Sequence, residues 1–422
     1  MENQVCISCG SSNLKPILDL GNHAWCNLLL KKEDIGKEKK YPLRMIYCND
    51  CTLFQLDKES QVPKEEMFSN HAYLSGTTNS LKNHFYNINK EIVEQFNIKS
   101  DDKVVEFGSN DGSCLKQFKK LGCNNVIGVE SAKNIAQIAN DNGIYTIDEY
   151  FSEECVDKHF NGNRAKIITC AGVFFHMNRE NIHSVIRGIK KLLDKDGIFV
   201  IHFMYLGDVL KNCTFDQLYA EHFYMLSIKS LKNLLSPYGL EIFDAQHCDI
   251  HGGTIVAKIC NKESELYKLR TERLFMLEAL DEELVNEKTI NEFANKVISK
   301  KDELREFLID IKNKENCKIY ALGAPAKGNT FLTYFNIDNS IVGAALEIND
   351  MKFGYYTPVS HIPIIKEDKN NIEDGSYLLV LAWNFFDEIL EKNKDLLDRN
   401  IKFILPFPEI KIITKDNVYT KL

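Results

Sequence analysis

The 422-residue chain is too long for one hydrophobic core and predicts two or three domains. Apolar residues make up 44% and charged residues 27%, the balance of a globular protein, and a net charge of −8 argues against nucleic acid or an anionic membrane as the main partner. No apolar run approaches the ~18 residues of a membrane span, and the opening MENQVCISCG lacks a signal-peptide pattern. A cytoplasmic location, with no nucleic acid and no membrane as partner, is the expectation.

Thirteen cysteines, an odd number in a chain this long, read as thiols of a reducing compartment. Residues 1 to about 65 are short polar segments that bury little core unaided, and they carry two knuckles, Cys6-x-x-Cys9 and Cys48-x-x-Cys51. Two such pairs separated by 38 residues are what a closed tetrahedral zinc site requires, with four thiolates on two tight turns. Metal binding then supplies folding free energy that a small region lacks. A metal-free pair of turns and a redox dithiol are the competing readings, and His23 and Cys26 are lesser ligand candidates. The scattered cysteines, Cys114, Cys123, Cys155, Cys170, Cys213, Cys248, Cys260 and Cys317, read as small core hydrophobes.

From about residue 70 a polar stretch leads into a helical pattern, and then the register changes. KVVEFG (103–108), NVIGVE (125–130), KIITCAG (166–172) and GIFVIHF (197–203) are apolar strands alternating with amphipathic helices. That alternation predicts a doubly wound α/β domain. EFGSNDG (106–112) follows the first strand and opens a helix, the context of a nucleotide-binding turn, but the G-x-G-x-x-G spacing is absent. Glu106, Gly108 and the strand-end acid Glu130 suit S-adenosylmethionine, whose ribose hydroxyls a carboxylate can accept; an NAD-type or cofactor-free sheet is the alternative.

Three further stretches are unusual. FFHMNRE (174–180) places His176 just past the third strand; Tyr219, Glu221, His222 and Tyr224 fall within six residues; His251 precedes two glycines. At the carboxyl ends of strands such groups sit where ligands bind, and a histidine beside a carboxylate and a phenol suits proton abstraction at neutral pH. Taken singly, each histidine is more often structural. Residues 262–315 are charged and helix-periodic without Gly or Pro, predicting one or two long connecting helices. KIYALG (318–323), SIVGAAL (340–346), YLLVLAW (377–383) and KFILPFP (402–408) then supply a second, smaller α/β domain. Its loop GAPAKGN (323–329) lacks G-K-[ST], which argues against a Walker-type NTPase. Lys327 and a glycine-rich helix start still favour an anion, and a nucleotide diphosphate is the functional reading.

Two cysteine knuckles, YLSGT, EFGSNDG, GVESAKNIA, FFHM, YAEHFYMLS, HGGT and GAPAKGNTFL, in this order over nearly the whole chain, resemble the nucleotide-sugar C-methyltransferases. The resemblance implies a zinc-binding domain (1–67), a Rossmann-like S-adenosylmethionine-dependent methyltransferase domain (68–262), and a helical connector with a second Rossmann-like domain (263–422). It implies zinc on Cys6, Cys9, Cys48 and Cys51, and S-adenosylmethionine on Glu106, Gly108, Asn110, Asp111 and Glu130. His222 matches the general base, with Tyr219, Glu221 and His176 beside it. Tyr73, Tyr224, His251, Lys327 and Asn329 are the candidate contacts to a nucleotide-sugar substrate. The chain departs from the family at Ala220, where a histidine is usual, and at HGGTIVAK, where an arginine commonly follows the glycines; the sugar and the methylated position stay open. The implied reaction adds a methyl group to the carbon next to the ketone of a nucleotide-linked keto-deoxysugar, through an enolate. O-methylation of a nucleotide sugar, and a non-catalytic zinc-containing binding protein, are the alternatives.

Overall fold

The computed structural model describes residues 4–62, 76, 79–267 and 269–420. The amino-terminal region folds as antiparallel strands β1 (Leu14–His23), β2 (Tyr41–Cys48) and β3 (Phe54–Leu56). Helix α1 (Asn79–Gln95) buries Leu81, Phe85, Ile88 and Ile92, spaced three or four residues apart along one face.

The central domain follows as β4 (Val104–Phe107), α2 (Ser113–Lys120), β5 (Val126–Val129), α3 (Lys133–Asp141), β6 (Thr146–Ile147), α4 (Glu153–Phe160), β7 (Ala165–Ala171), α5 (Arg179–Leu192) and β8 (Leu193–Met204). After it come α6 (Leu206–Asn212), β9 (Tyr224–Met225), α7 (Ile228–Leu235), β10 (Leu240–Cys248) and β11 (Thr254–Asn261). The sheet order is β10-β11-β8-β7-β4-β5-β6, parallel from β8 to β6, with β11 antiparallel to both of its neighbours. Strand β9 leaves this sheet and pairs with β3, so the amino-terminal sheet is completed by the chain of the central domain. The amino-terminal region is therefore built onto its neighbour.

Across the outer face, Lys258 of β11 is wholly buried, its ammonium 2.7 Å from Glu91 and 3.0 Å from Asp244. Arg273 closes the network on the same two carboxylates. The lysine of HGGTIVAK thus belongs to the packing of α1 against β10 and β11.

The connector is three helices, not one or two: α8 (Glu272–Leu284), α9 (Glu287–Ser299) and α10 (Glu303–Glu315). Polar caps divide it where Gly and Pro are absent. The Asn286 side chain accepts from the Thr289 N–H (3.1 Å) while Thr289 Oγ1 accepts from the Asn286 N–H (3.2 Å), a capping box that starts a new helix. The last domain comprises β12 (Ile319–Leu322), α11 (Ala326–Tyr334), β13 (Ala344–Glu347), β14 (Ile364–Lys366), β15 (Tyr377–Val380), α12 (Phe386–Lys392), β16 (Lys402–Leu405), β17 (Lys411–Ile413) and β18 (Val418–Thr420). Its order is β14-β13-β12-β15-β16-β17-β18, with five parallel strands and an antiparallel tail. No helix among the described residues is long and apolar enough to cross a membrane.

Candidate active site

The four knuckle cysteines converge: the Sγ atoms of Cys6, Cys9, Cys48 and Cys51 all lie within 4.8 Å of one another. The Cys6–Cys51 pair is 3.4 Å apart and the Cys9–Cys48 pair 3.6 Å. A tetrahedral ion with four thiolates at ~2.3 Å needs sulfurs about 3.8 Å apart, so the donor set fits zinc. His23 and Cys26 lie outside it: the His23 ring bonds Leu20 O, and the Cys26 thiol faces Glu221. The knuckle docks on α5, where the Arg179 guanidinium donates to the carbonyls of Cys6, Ile7 and Ser8 at 2.8–2.9 Å.

At the carboxyl end of β4 the strand order reverses, with β5 on one side and β7 on the other. This is the crevice in which open α/β sheets hold ligands. Gly108 turns there with φ +62°, and a Cβ on it would sit 2.5 Å from Val173; only glycine leaves that approach open. Glu130 accepts from the Asn110 N–H (3.0 Å) and the Ala132 N–H (2.8 Å), joining the turn to the start of α3. Asp111 accepts from the N–H groups of Ser113 and Gly76, each at 3.1 Å. Burial pushes the Glu106 carboxyl well above its usual range, and its Oε2 has no partner. An orphaned acid oxygen and a glycine cradle at the switch point fit a polar, nucleoside-like ligand such as S-adenosylmethionine. Tyr150, half-exposed beside Glu130 and Ser131, was not indicated by any sequence motif; only its position after β6 brings it there.

The segment from Thr214 to Phe223 carries the histidine cluster, and its end is zipped to residues 174–176. His176 Nδ1–H donates to Glu221 O (2.7 Å), Phe223 N–H to Phe175 O (2.9 Å), and the Tyr224 hydroxyl to Phe174 O (2.5 Å). His222 Nδ1 lies 2.7 Å from Gln217 O, an acceptor only, so Nδ1 carries the proton and Nε2 the basic lone pair. Burial, reinforced by His176, holds the His222 pKa well below its ordinary value and keeps the ring neutral. Tyr219 packs on it with ring centroids 3.7 Å apart, and His176 stands at 5.1 Å.

Two members of the motif point elsewhere. The Glu221 carboxylate accepts from Trp25 Nε1 and from Asn27 Nδ2 (2.7 Å), so it faces the amino-terminal domain and not the imidazole. Tyr224 is 0% exposed in β9 and belongs to the core, because the extended chain beyond His222 turns that ring toward Phe174. Tyr73 lies outside the described residues.

The HGGT turn and the GAPAKGN loop meet between the second and third domains. The Lys327 ammonium lies 3.7 Å from the Trp383 ring centre and donates to Asn384; burial, against the attraction of Asp216, lowers its pKa to about 8. Asn329 donates to Cys26 O (2.6 Å), and its buried Oδ1 has no partner. His251, brought to about 4 by burial and by Lys327, packs edge-on against Phe385.

The central domain, with its reversed β11 and its acid-flanked glycine turn, is that of an S-adenosylmethionine-dependent methyltransferase, and residues 80–245 match the model of a methyltransferase domain. Residues 6–68 match a zinc binding domain, and residues 249–408 a C-methyltransferase C-terminal domain. The chain belongs to this C-methyltransferase family: it is 30% identical over 418 residues to the C-methyltransferase NovU of Streptomyces niveus, covering 98% of this chain and 97% of that one. Among solved structures, the magnesium protoporphyrin IX methyltransferase of Synechocystis with bound S-adenosylmethionine shares 12% identity at a TM-score of 0.35, over 47% of this chain and 91% of the other. The PH0226 protein of Pyrococcus horikoshii shares 12% at 0.37, over 48% and 100%.

Proposed function

We propose that this C-methyltransferase acts on a nucleotide-linked keto-deoxysugar and methylates the carbon next to the ketone. One observation carries the reading: a buried, neutral imidazole at His222, with Nδ1–H fixed on a carbonyl and Nε2 left as the base, beside a phenol and a second imidazole. A ketone acidifies its neighbouring C–H, so Nε2 takes that proton and the electron pair moves to the ketone oxygen as an enolate. Tyr219 and His176 are the groups to stabilise that oxygen. Glu106, Gly108, Asn110, Asp111 and Glu130 would hold S-adenosylmethionine, which supplies the electrophilic methyl group. The enolate carbon would form its bond to this methyl group in line as the sulfonium S–CH3 bond breaks and the sulfur leaves as a neutral thioether, so positioning of the two partners is much of the catalysis. Lys327, Asn329, His251 and Tyr73 are the candidate contacts for the nucleotide sugar. A zinc ion on the four cysteines would be closed to substrate and serve the fold.

The test is to incubate the protein with methyl-labelled S-adenosylmethionine and nucleotide sugars with and without a 4-keto group, then locate the label. Label on carbon, only in the keto sugars, is expected. Label on oxygen, or transfer to sugars lacking the ketone, refutes the enolate route.

A further inference from the structure

We propose that Trp383 of the carboxyl-terminal domain is a positioning residue for His222, acting through the turn Phe215–Gln217; the inference rests on His222 being the base. Three consecutive residues make the connection. Phe215 is enclosed by rings of the last domain, with centroids 4.8 Å from Tyr334, 5.6 Å from Phe335 and 5.8 Å from Phe407. Asp216, 1% exposed, accepts from Trp383 Nε1 at 2.7 Å. Gln217 presents the carbonyl that receives the His222 Nδ1–H.

Trp383 is also wedged from its other edge. A Cβ on Gly252 would lie 2.4 Å from its Cη2 and 3.2 Å from Gln217 Nε2, so indole, hairpin and turn are in contact at one point. The second Asp216 oxygen is buried without a hydrogen-bond partner, so outside its own turn the carboxylate is held by the indole N–H and by the attraction of Lys327. Without the indole N–H, the buried carboxylate loses a charge-assisted bond, and the neighbouring Gln217 carbonyl loses part of the restraint that fixes where the imidazole proton points. A free imidazole favours the Nε2–H tautomer, so the Nδ1–H form at His222 is imposed by where Gln217 O is held.

The experiment reads that tautomer directly. The full-length protein is labelled with 15N-histidine, and His222 is assigned by the signal lost in His222→Ala. Wild type is expected to show one Nδ1–H tautomer. Trp383→Phe keeps the ring and removes the donor, and it should lose the single tautomer in favour of a mixture with Nε2–H. Asp216→Ala should do the same, whereas Asp216→Asn, which keeps an acceptor for the indole, should retain the wild-type spectrum. If Trp383→Phe does not fold, Asp216→Ala against Asp216→Asn decides. An unchanged His222 spectrum in Trp383→Phe, or in a folded Asp216→Ala, overturns the proposal. Failure of the base assignment is separate: His222→Ala would then still methylate, whatever the tautomer.

Discussion

Replacing His222 with alanine removes a group whose setting predicts the size of the loss. The imidazole is 3% exposed and kept neutral by burial, while the Glu221 carboxylate is turned away to Trp25 and Asn27. A positioned general base contributes roughly 10²–10⁴ in rate, or about 3–5 kcal/mol at ~1.36 kcal/mol per tenfold. Alanine also leaves the Gln217 carbonyl without its donor, a stability cost of about 1–3 kcal/mol that folding controls must register. Cofactor affinity should hold, because Glu130 is anchored by the N–H groups of Asn110 and Ala132 in the glycine turn and at the start of α3. The assay follows deuterium uptake from heavy water at the carbon next to the ketone, together with methyl transfer, on the keto nucleotide sugar that the labelling experiment identifies as the acceptor. Both should fall in step. The wild type adds a pH signature: a base works unprotonated, and burial moves protonation of His222 to more acid pH, so turnover should not drop as pH falls through 6.5. A folded His222→Ala variant that exchanges and methylates within a few-fold of wild type would refute the reasoning.

One zinc per chain is expected by metal analysis under reducing conditions, and Cys48→Ser should lose it; zinc-free wild type purified without chelator would sink the metal. Because Trp25 and Asn27 bond Glu221 and β3 pairs with β9, that region is tied to the loop bearing His222, and the same variant should also lose methyl transfer. Glu130→Ala should weaken S-adenosylmethionine binding by about 1.5–3 kcal/mol per charge-assisted bond lost, and calorimetry showing unchanged affinity would move the ribose contact elsewhere. Stability should fall as pH drops below 6.5. Burial holds folded His23 at about 4, so the unfolded chain takes up a proton the folded one refuses, costing ~3 kcal/mol between pH 6.5 and 4. His84, His202 and His222 are shifted the same way, and a urea midpoint unchanged between pH 7 and 5 would contradict this.

What the sequence makes legible is what is local. Strands β4, β5, β7 and β8 stand out because each apolar run is bounded by an amphipathic helix. The cysteine knuckles stand out because metal chemistry dictates their spacing. The capping box at Asn286 and Thr289 is equally local, yet the absence of Gly and Pro favours longer helices and hides it. What is not legible is long-range. Nothing in Tyr224–Met225 marks a strand that leaves its own domain to pair with Phe54 and Gln55. Closeness in sequence suggests that Glu221 and Tyr224 work with His222, but Glu221 sits in a turn and Tyr224 in β9, and their side chains leave in other directions, one to Trp25 and one to Phe174. Trp383 carries no motif at all; its place against Asp216 and Gly252 exists only once two domains are packed.

The same packing gives the amino-terminal region a part in the site that its composition does not suggest. Trp25 and Asn27 both donate to Glu221, while the carbonyl of Cys26 between them receives Asn329 from the start of α11. One tripeptide therefore touches the base loop and the glycine-rich loop of the last domain. From the opposite side, Phe215 and Asp216 are held by the rings and the indole of that domain. The segment bearing His222 is thus held by both flanking domains as well as by residues 174–176 of its own, and the backbone carbonyl of Glu221 passes the restraint on to His176. For His222 as the proposed base, these restraints favour one tautomer and one orientation of the ring, the preorganisation that proton abstraction from carbon requires.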